Sequence, residues 1–452
     1  MNLLDTHDRF FRGGPRVRRG DDRTPSEKDR DIVLYSSAFK RLLSVTQVAS
    51  GSSGHVFHTR LTHSLQVAQI GRRLAEKLWK QQKDECSALG GMEPDAVEAA
   101  CLAHDIGHPP FGHLAEEVLN AESSKFGGFE GNAQSFRIVT QLGIRSPKYS
   151  GLNLTRGTLR GILKYPWLHA DRPEDLTSPT HRKEKWGAYD CDREVFDWVR
   201  ELDLQAGRTS RAAEAELMDW SDDVTYSVHD VEDFFRAGLI PLHLLKRTTG
   251  QPSNRERDRF FGYVIENDRK DAALHDLSAQ EMEGIFDNLL IYTGIQFDQA
   301  YEGSRDDHAK LRMFSSRLIN RFINALHLNE VSSANARPAR REELAEKEVA
   351  ILKQLTWCYV IDAPSLAIQH RAQRKVIAQL AKTFLNEAVS SKPTGILPIF
   401  FREQLRTPGL DESEKKRMAI DLVSNMTEGQ AIDLYQRLEG ISVAAGFDKI
   451  VV

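Results

Sequence analysis

The chain has 452 residues, 61 Lys and Arg against 65 Asp and Glu, four cysteines, and hydrophobic and charged shares of 40% and 28%; it is long enough for a large core, in one big domain or two or three average ones. A net charge of −4 supplies no global basic field for coating nucleic acid irrespective of sequence, and no apolar run reaches the roughly eighteen residues of a membrane span. The opening residues lack a secretory apolar region, and Cys86, Cys101, Cys191 and Cys358 form no CxxC pair, so neither a disulfide framework nor a thiolate zinc site is expected and the protein reads as cytoplasmic.

Residues 1–28 read as a flexible arm rich in Arg and Gly. From Asp29 to Val48, the stripe Ile32, Tyr35, Phe39, Leu42, Leu43 has helical spacing. Residues 49–54 have loop composition, and Leu61 to Trp79 reads as an amphipathic helix. Pro94 opens another helix that runs to His104-Asp105 and is closed by Gly107, Pro109 and Pro110. Short helices are expected at 113–121 and 130–143, an exposed loop at 171–185, and a long helix at 211–237 ending before Gly238 and Pro241. Further helices are expected near 279–292, 308–327, 341–362 and 366–389, with a loop at 332–341. Almost nothing alternates as a strand does, so the expected fold is all-α.

Three places carry residue types unusual for their setting: His63, the His104-Asp105 pair, and Asp222. His63 lies in line with Val67, Ile70, Leu74 and Leu78, and His104 follows Val97 and Cys101, so both imidazoles fall on apolar helix faces. Asp222, Tyr226 and Asp230 line one face of the long helix at i, i+4, i+8, beside the apolar face of Val224, Val228, Val231 and Phe235. Unpaired buried carboxylates are costly. A divalent ion satisfies two carboxylates and two imidazoles together, and such a donor set suits Mn²⁺, Fe²⁺, Co²⁺, Ni²⁺ or Zn²⁺. An inward His is more often a hydrogen-bonded core residue than a ligand, so it is the conjunction that carries weight.

The order His63, His104-Asp105, Asp222 resembles the HD superfamily of metal-dependent phosphohydrolases, and the flanking text is more specific. Ser36-Ser37-Ala38-Phe39-Lys40-Arg41-Leu42, Thr46-Gln47-Val48 and His58-Thr59-Arg60-Leu61-Thr62-His63-Ser64 resemble the opening of the deoxynucleoside triphosphate triphosphohydrolases, the dGTPase and dGTPase-like proteins. His104-Asp105-Ile106-Gly107-His108-Pro109-Pro110-Phe111-Gly112-His113 resembles that family's central signature, and the segments 128–134 and 222–230 continue the match. The resemblance is dense over about 29–240 and thin beyond. It implies an HD-type catalytic core at 29–240, with helical residues 241–452 packed on it.

By the same resemblance, His63, His104, Asp105 and Asp222 would hold one divalent metal ion per active site (Mn²⁺, Mg²⁺, Co²⁺, Fe²⁺ or Ni²⁺), and His113 and Glu116 would be the catalytic pair. The i, i+3 spacing of that pair also places it on one helix face. Arg60 and His108 would meet phosphate, Gln47, Tyr226 and Asp230 the sugar, and Lys164 and Tyr165 the triphosphate. Arg371, Arg374 and Lys375 are further candidate phosphate contacts, though a solvated helix face explains them more simply. The implied reaction converts a dNTP, dGTP among them, to deoxynucleoside and inorganic tripolyphosphate. The resemblance also implies a homo-oligomer, often a hexamer, and in some members a dNTP activator.

Two other readings stand beside this one: another HD-type nucleotide phosphohydrolase (a monophosphatase or phosphodiesterase), and a non-catalytic nucleotide sensor. The arm has the ingredients of a weak single-stranded nucleic-acid contact in Arg9, Arg12, Arg16, Arg18, Arg19 and Arg23 with Phe10 and Phe11; a solvated tail accounts for it more simply. No membrane partner is expected.

Overall fold

The computed structural model describes residues 6–12, 20–47, 59–172, 185–246, 254–267, 271–329, 337–362, 364–392 and 395–441. As expected it is all-α, and the strands among the described residues are two short ones. Helix α1 (Pro25–Tyr35) starts at a capping box in which Thr24 and Glu27 satisfy each other's backbone, with Pro25 at its first position. Ser36 then takes an extended conformation and caps the short helix Ser37–Arg41, so the stripe expected to run on to Val48 is broken there.

Helix α2 (Arg60–Gln81) buries His63, Val67, Ile70, Leu74 and Leu78 along one face. It packs on α3 (Pro94–Ala103), which in turn leads through the tight His104–Gly107 turn toward α4 (His113–Ser123). Helix α5 (Gly131–Arg137) ends in a π-helical turn at Ile138–Leu142, and α6 (Arg156–Ile162) and α7 (Arg193–Gln205) follow. The central helix α8 (Ala213–Arg236) touches α2, α3 and α6. Beyond it lie α9 (Arg255–Glu266), α10 (Ala279–Thr293), α11 (Arg305–Asn324), α12 (Glu343–Thr356), α13 (Pro364–Val389), α14 (Glu412–Ser424) and α15 (Glu428–Leu438).

Part of the loop expected at 332–341 is a strand: β2 (Ala339–Arg341) pairs antiparallel with β1 (Leu326–Leu328). Most of the expected loop at 171–185, residues 173–184, lies outside the described residues.

Two apolar cores organise the molecule. The first gathers side chains from Val33 through to Val360. In the second, Ala115, Leu119 and Phe129 meet Ile377, Leu380 and Phe384 of α13 and Ile420, Leu422 and Val423 of α14. The second core thus joins α4 and Phe129 to the C-terminal helices.

Residues 9–11 of the expected arm are docked. Arg9 pairs with the fully buried Asp29 at 2.7 Å. Phe10 meets Trp198 edge-on, and Phe11 stacks on Tyr149 with centroids 5.8 Å apart. Arg9, Phe10 and Phe11 are thus engaged within the fold rather than held out for nucleic acid, while Arg16, Arg18 and Arg19 lie outside the described residues.

Candidate active site

Three helices deliver the donor cluster: α2 carries His63 in its first turn, the end of α3 carries His104, and the middle of α8 carries Asp222. One ligand-capable atom from each lies within 4.8 Å of the others. His63 Nε2 is 3.0 Å from Asp222 Oδ1, and His104 Nε2 stands 3.7 Å from the same oxygen and 3.5 Å from Asp105 Oδ1. His104 Nδ1 bonds the Cys101 carbonyl at 2.6 Å, which fixes a proton there and leaves Nε2 as the nitrogen that can give up its own proton to a metal. That Nε2 is buried and has no hydrogen-bond partner among the described residues. An orphaned imidazole nitrogen facing two carboxylates and a second imidazole fits a first-row divalent cation.

Asp105 stands at the rim of this trio. Its Oδ2 accepts from Arg60 Nη1 at 2.7 Å, and its Oδ1 lies 3.0 Å from His108 Nδ1, a contact not aligned as a hydrogen bond. Burial opposes its ionisation, but His108, His104 and Arg60 outweigh that and hold it well below the usual carboxylate range. Asp222 is likewise held low against burial, by Lys164, His104 and His63. His108 is shifted down, by burial first and then by Arg60, against the pull of Asp105.

The second group begins where α4 begins. His113 Nδ1 is 2.5 Å from Glu116 Oε2, and the His113 side chain is 75% exposed, so its other nitrogen faces outward. Glu116 is buried, yet Lys185, His113 and His108 outweigh that burial and keep it an anion. It must then accept, and Nδ1 must carry the proton. The other Glu116 oxygen takes the Gly131 N–H at 2.7 Å. A side chain at residue 131 would put a Cβ 2.4 Å from that oxygen, and one at Gly107 would lie 2.1 Å from the Ser135 nitrogen. Gly107 therefore permits close approach of α5 to the His104–Gly107 turn, and Gly131 permits that of Glu116 to the start of α5. Ser135 Oγ completes the joint by accepting from Gly107 N–H and donating to the His104 carbonyl.

Lys164 and Tyr165 close the other side. Lys164 Nζ lies 2.8 Å from Asp219 Oδ1 and 3.4 Å from Asp222 Oδ2. Tyr165 sits against Trp167 with centroids 5.6 Å apart. Asp230 lies two turns beyond Asp222 on α8; burial, Asp233 and Asp222 raise its carboxyl well above the usual range, and its Oδ2 has no partner among the described residues. Burial also raises the Tyr226 phenol. Gln47 follows the Thr46–Thr59 bridge, and its Oε1 is buried without a partner among the described residues. Arg371 and Lys375 are exposed on α13, and Arg374 there pairs with Glu117 of α4.

Several charged neighbours of these residues escaped the sequence reading. Lys185 reaches Glu130 at 3.0 Å and Glu116 at 3.7 Å. Asp219 holds Lys164, Arg211 and Arg341, while Asp223 holds Arg341 and Lys353. Asp219 carried a signal, being one turn before Asp222 and inside the apolar run; Lys185 carried none.

Residues 60–166 match the HD domain, and residues 340–437 match the phosphohydrolase-associated domain. A deoxyguanosinetriphosphate triphosphohydrolase-like protein of Streptomyces coelicolor is 38% identical over 435 residues, covering 92% of this chain and 93% of the relative. Proteins of the same description from Shewanella sp. strain MR-4 and Bifidobacterium longum are each 31% identical, covering 94% of this chain and 94% and 85% of their own lengths.

Proposed function

This chain belongs to the deoxyguanosinetriphosphate triphosphohydrolase-like family of HD-domain phosphohydrolases, and from that premise we propose that it hydrolyses deoxynucleoside triphosphates to deoxynucleoside and inorganic tripolyphosphate. The observation that carries the reading is the buried, unpartnered His104 Nε2 aimed at two carboxylates and a second imidazole, with an exposed, tautomer-fixed His113 nearby. His63, His104, Asp105 and Asp222 would hold a divalent ion. When bound, that ion supplies positive charge against the α-phosphate and acidifies water beside it.

The chain's own groups do the rest. Water attacks the α-phosphorus and the bond to the 5′-oxygen breaks. Arg60 and Lys164 neutralise charge that develops on the phosphate oxygens. His108 donates a hydrogen bond to phosphate, and Tyr165 lines the triphosphate path. His113 Nε2 moves the proton, from the attacking water or to the departing 5′-oxygen, while Glu116 fixes the ring and stabilises its cation. Asp230, its carboxyl raised by burial and by Asp233 and Asp222, meets the 3′-hydroxyl. Gln47 and Tyr226 pack the sugar and reject a ribose hydroxyl by leaving it no space. The relatives' description makes dGTP the first substrate to try.

The test incubates the protein with each dNTP, alone and in pairs, and with GTP, in Mn²⁺ and in Mg²⁺, and resolves products by ion exchange. Deoxynucleoside with tripolyphosphate is expected. Monophosphate with pyrophosphate, or diphosphate with phosphate, would overturn the assigned bond, and no product under any pairing would overturn the catalytic reading.

A further inference from the structure

Two walls of the site, far apart in sequence, end on one carboxylate of the C-terminal helices. Glu428, the first residue of α15, accepts the Thr46 N–H on Oε1 at 2.8 Å and the Thr46 hydroxyl on Oε2 at 2.9 Å. The same Oε1 accepts the Phe111 N–H at 3.3 Å. Thr46 adjoins Gln47 and bridges to Thr59, while the Arg60 N–H donates to the Val45 carbonyl. Phe111 stands two residues before His113.

Phe111 has φ 68, one of two such values at non-glycine residues among those described. An aromatic residue holds that left-handed conformation only where its surroundings over-determine it. Here they do. The Phe111 ring packs against the second core, and its N–H is held by Glu428. Close by, Arg41 joins the Met426 carbonyl to the carbonyls of Ile106 and His108. The turn between α14 and α15 is therefore bolted to the loop that carries His104 through His113.

We propose that Glu428 is a positioning residue: it holds the Thr46–Gln47 segment and the strained turn before His113 in one register, so that the seating of α15 sets sugar selection and proton transfer together. The activity readouts rest on the triphosphohydrolase reading, whereas the clamp itself does not. Glu428→Ala removes the shared acceptor. Glu428→Gln keeps an oxygen for both N–H groups, and its NH₂ can donate to the Thr46 hydroxyl. Gln430→Ala removes the capping side chain of α15, whose oxygen accepts the Thr427 N–H at 2.8 Å, and leaves the clamp intact.

Hydrogen exchange on the full chain, metal-loaded, reads peptides containing Thr46 and Phe111, with kcat, KM and the preference for dNTP over NTP measured on the same samples. Glu428→Ala is expected to speed exchange in both peptides, to lower kcat by about 10- to 100-fold, the scale of small misplacements, and to narrow the sugar preference. Glu428→Gln is expected to restore all three, and Gln430→Ala to lower the melting temperature without the other effects. Should Glu428→Ala fail to fold, Glu428→Asp, one methylene short of spanning both walls, replaces it. Unchanged exchange at both peptides would overturn the proposal, as would faster exchange with kcat and preference intact, or the same losses in Gln430→Ala. If the unaltered protein hydrolyses no dNTP, the functional reading fails and the exchange pattern alone decides the clamp.

Discussion

Glu116→Gln replaces a carboxylate oxygen with an NH₂ group, and the surrounding atoms dictate which oxygen is lost. Oε1 accepts the Gly131 N–H at 2.7 Å, and Oε2 faces His113 Nδ1 at 2.5 Å. The buried Gly131 N–H still needs an acceptor, so the amide oxygen must stay at the Oε1 position and the NH₂ must face His113. The NH₂ then donates to Nδ1 and drives the imidazole proton to Nε2, the opposite tautomer from that imposed by the carboxylate. Lys185, 3.7 Å from Oε2, pushes the other way, because it repels an NH₂ and attracts an oxygen, but it stands beyond hydrogen-bond distance and the 2.7 Å bond from the Gly131 N–H decides. General acid–base catalysis contributes about 10²–10⁴-fold, and imposing the wrong tautomer on a His–carboxylate pair costs about 10⁴-fold. We therefore expect kcat to fall by about 10²–10⁴-fold, or about 3–5 kcal/mol in the barrier. Because Glu116 is not among the proposed ligands, metal affinity should not change. The assay is steady-state deoxynucleoside release, with calorimetric metal titration on the same preparation. The double variant with His113→Ala should be no slower than His113→Ala alone, since the two residues act as a unit. A Glu116→Gln enzyme within about threefold of normal kcat would refute the pairing, because the expected loss from a misassigned tautomer is far larger.

His113→Ala should lose turnover yet keep its metal, whereas Asp105→Ala should lose both; full metal occupancy in an inactive Asp105→Ala protein would remove that residue from the ligand set. In the metal-free protein His104 is pushed up to about 9, since Asp105 and Asp222 favour its cation more than burial opposes it. Its folded value lies above the ordinary 6.5, so its stabilisation is full below that pH and lost as pH rises through about 9. Metal uptake expels that proton, so apparent metal affinity should climb about tenfold per pH unit across the window and level off above it. Calorimetry in buffers of differing ionisation enthalpy counts the proton, and a flat profile would contradict the assignment. Asp421→Ala strips Gln134 of its buried acceptor and leaves buried Arg137 with Asp192 alone, which should cost about 3 kcal/mol in chemical denaturation; an unchanged midpoint would mean that this bridge to α14 is idle.

His63, His104 and Asp222 were legible because imidazoles and a carboxylate on apolar helix faces demand a partner, and packing α2, α3 and α8 together converges them. Lys185 was not, because a lysine beside a polar, proline-bearing stretch looks solvated until the fold carries it to Glu130 and Glu116. Glu428 was invisible for a plainer reason: it and Thr46 are 382 residues apart, and nothing periodic links them. The β1–β2 pair has three residues in each strand, too few for alternation to register. At residues 9–11 composition was a poor guide, since the arm's arginines and glycines outnumber two aromatic residues whose ring contacts, with the Arg9–Asp29 pair, anchor that segment. Ser36 broke a stripe whose spacing was helical on both sides, because its hydroxyl accepts the Phe39 N–H and so starts a new helix.

The central claim is that water attacks the α-phosphorus and the nucleoside departs with its own 5′-oxygen. Hydrolysis of dGTP in ¹⁸O-enriched water, with both products weighed by mass spectrometry, tests it in one experiment. The account predicts a single ¹⁸O in tripolyphosphate and none in the deoxynucleoside. Label in the deoxynucleoside, or label in a released orthophosphate or pyrophosphate instead, would contradict it.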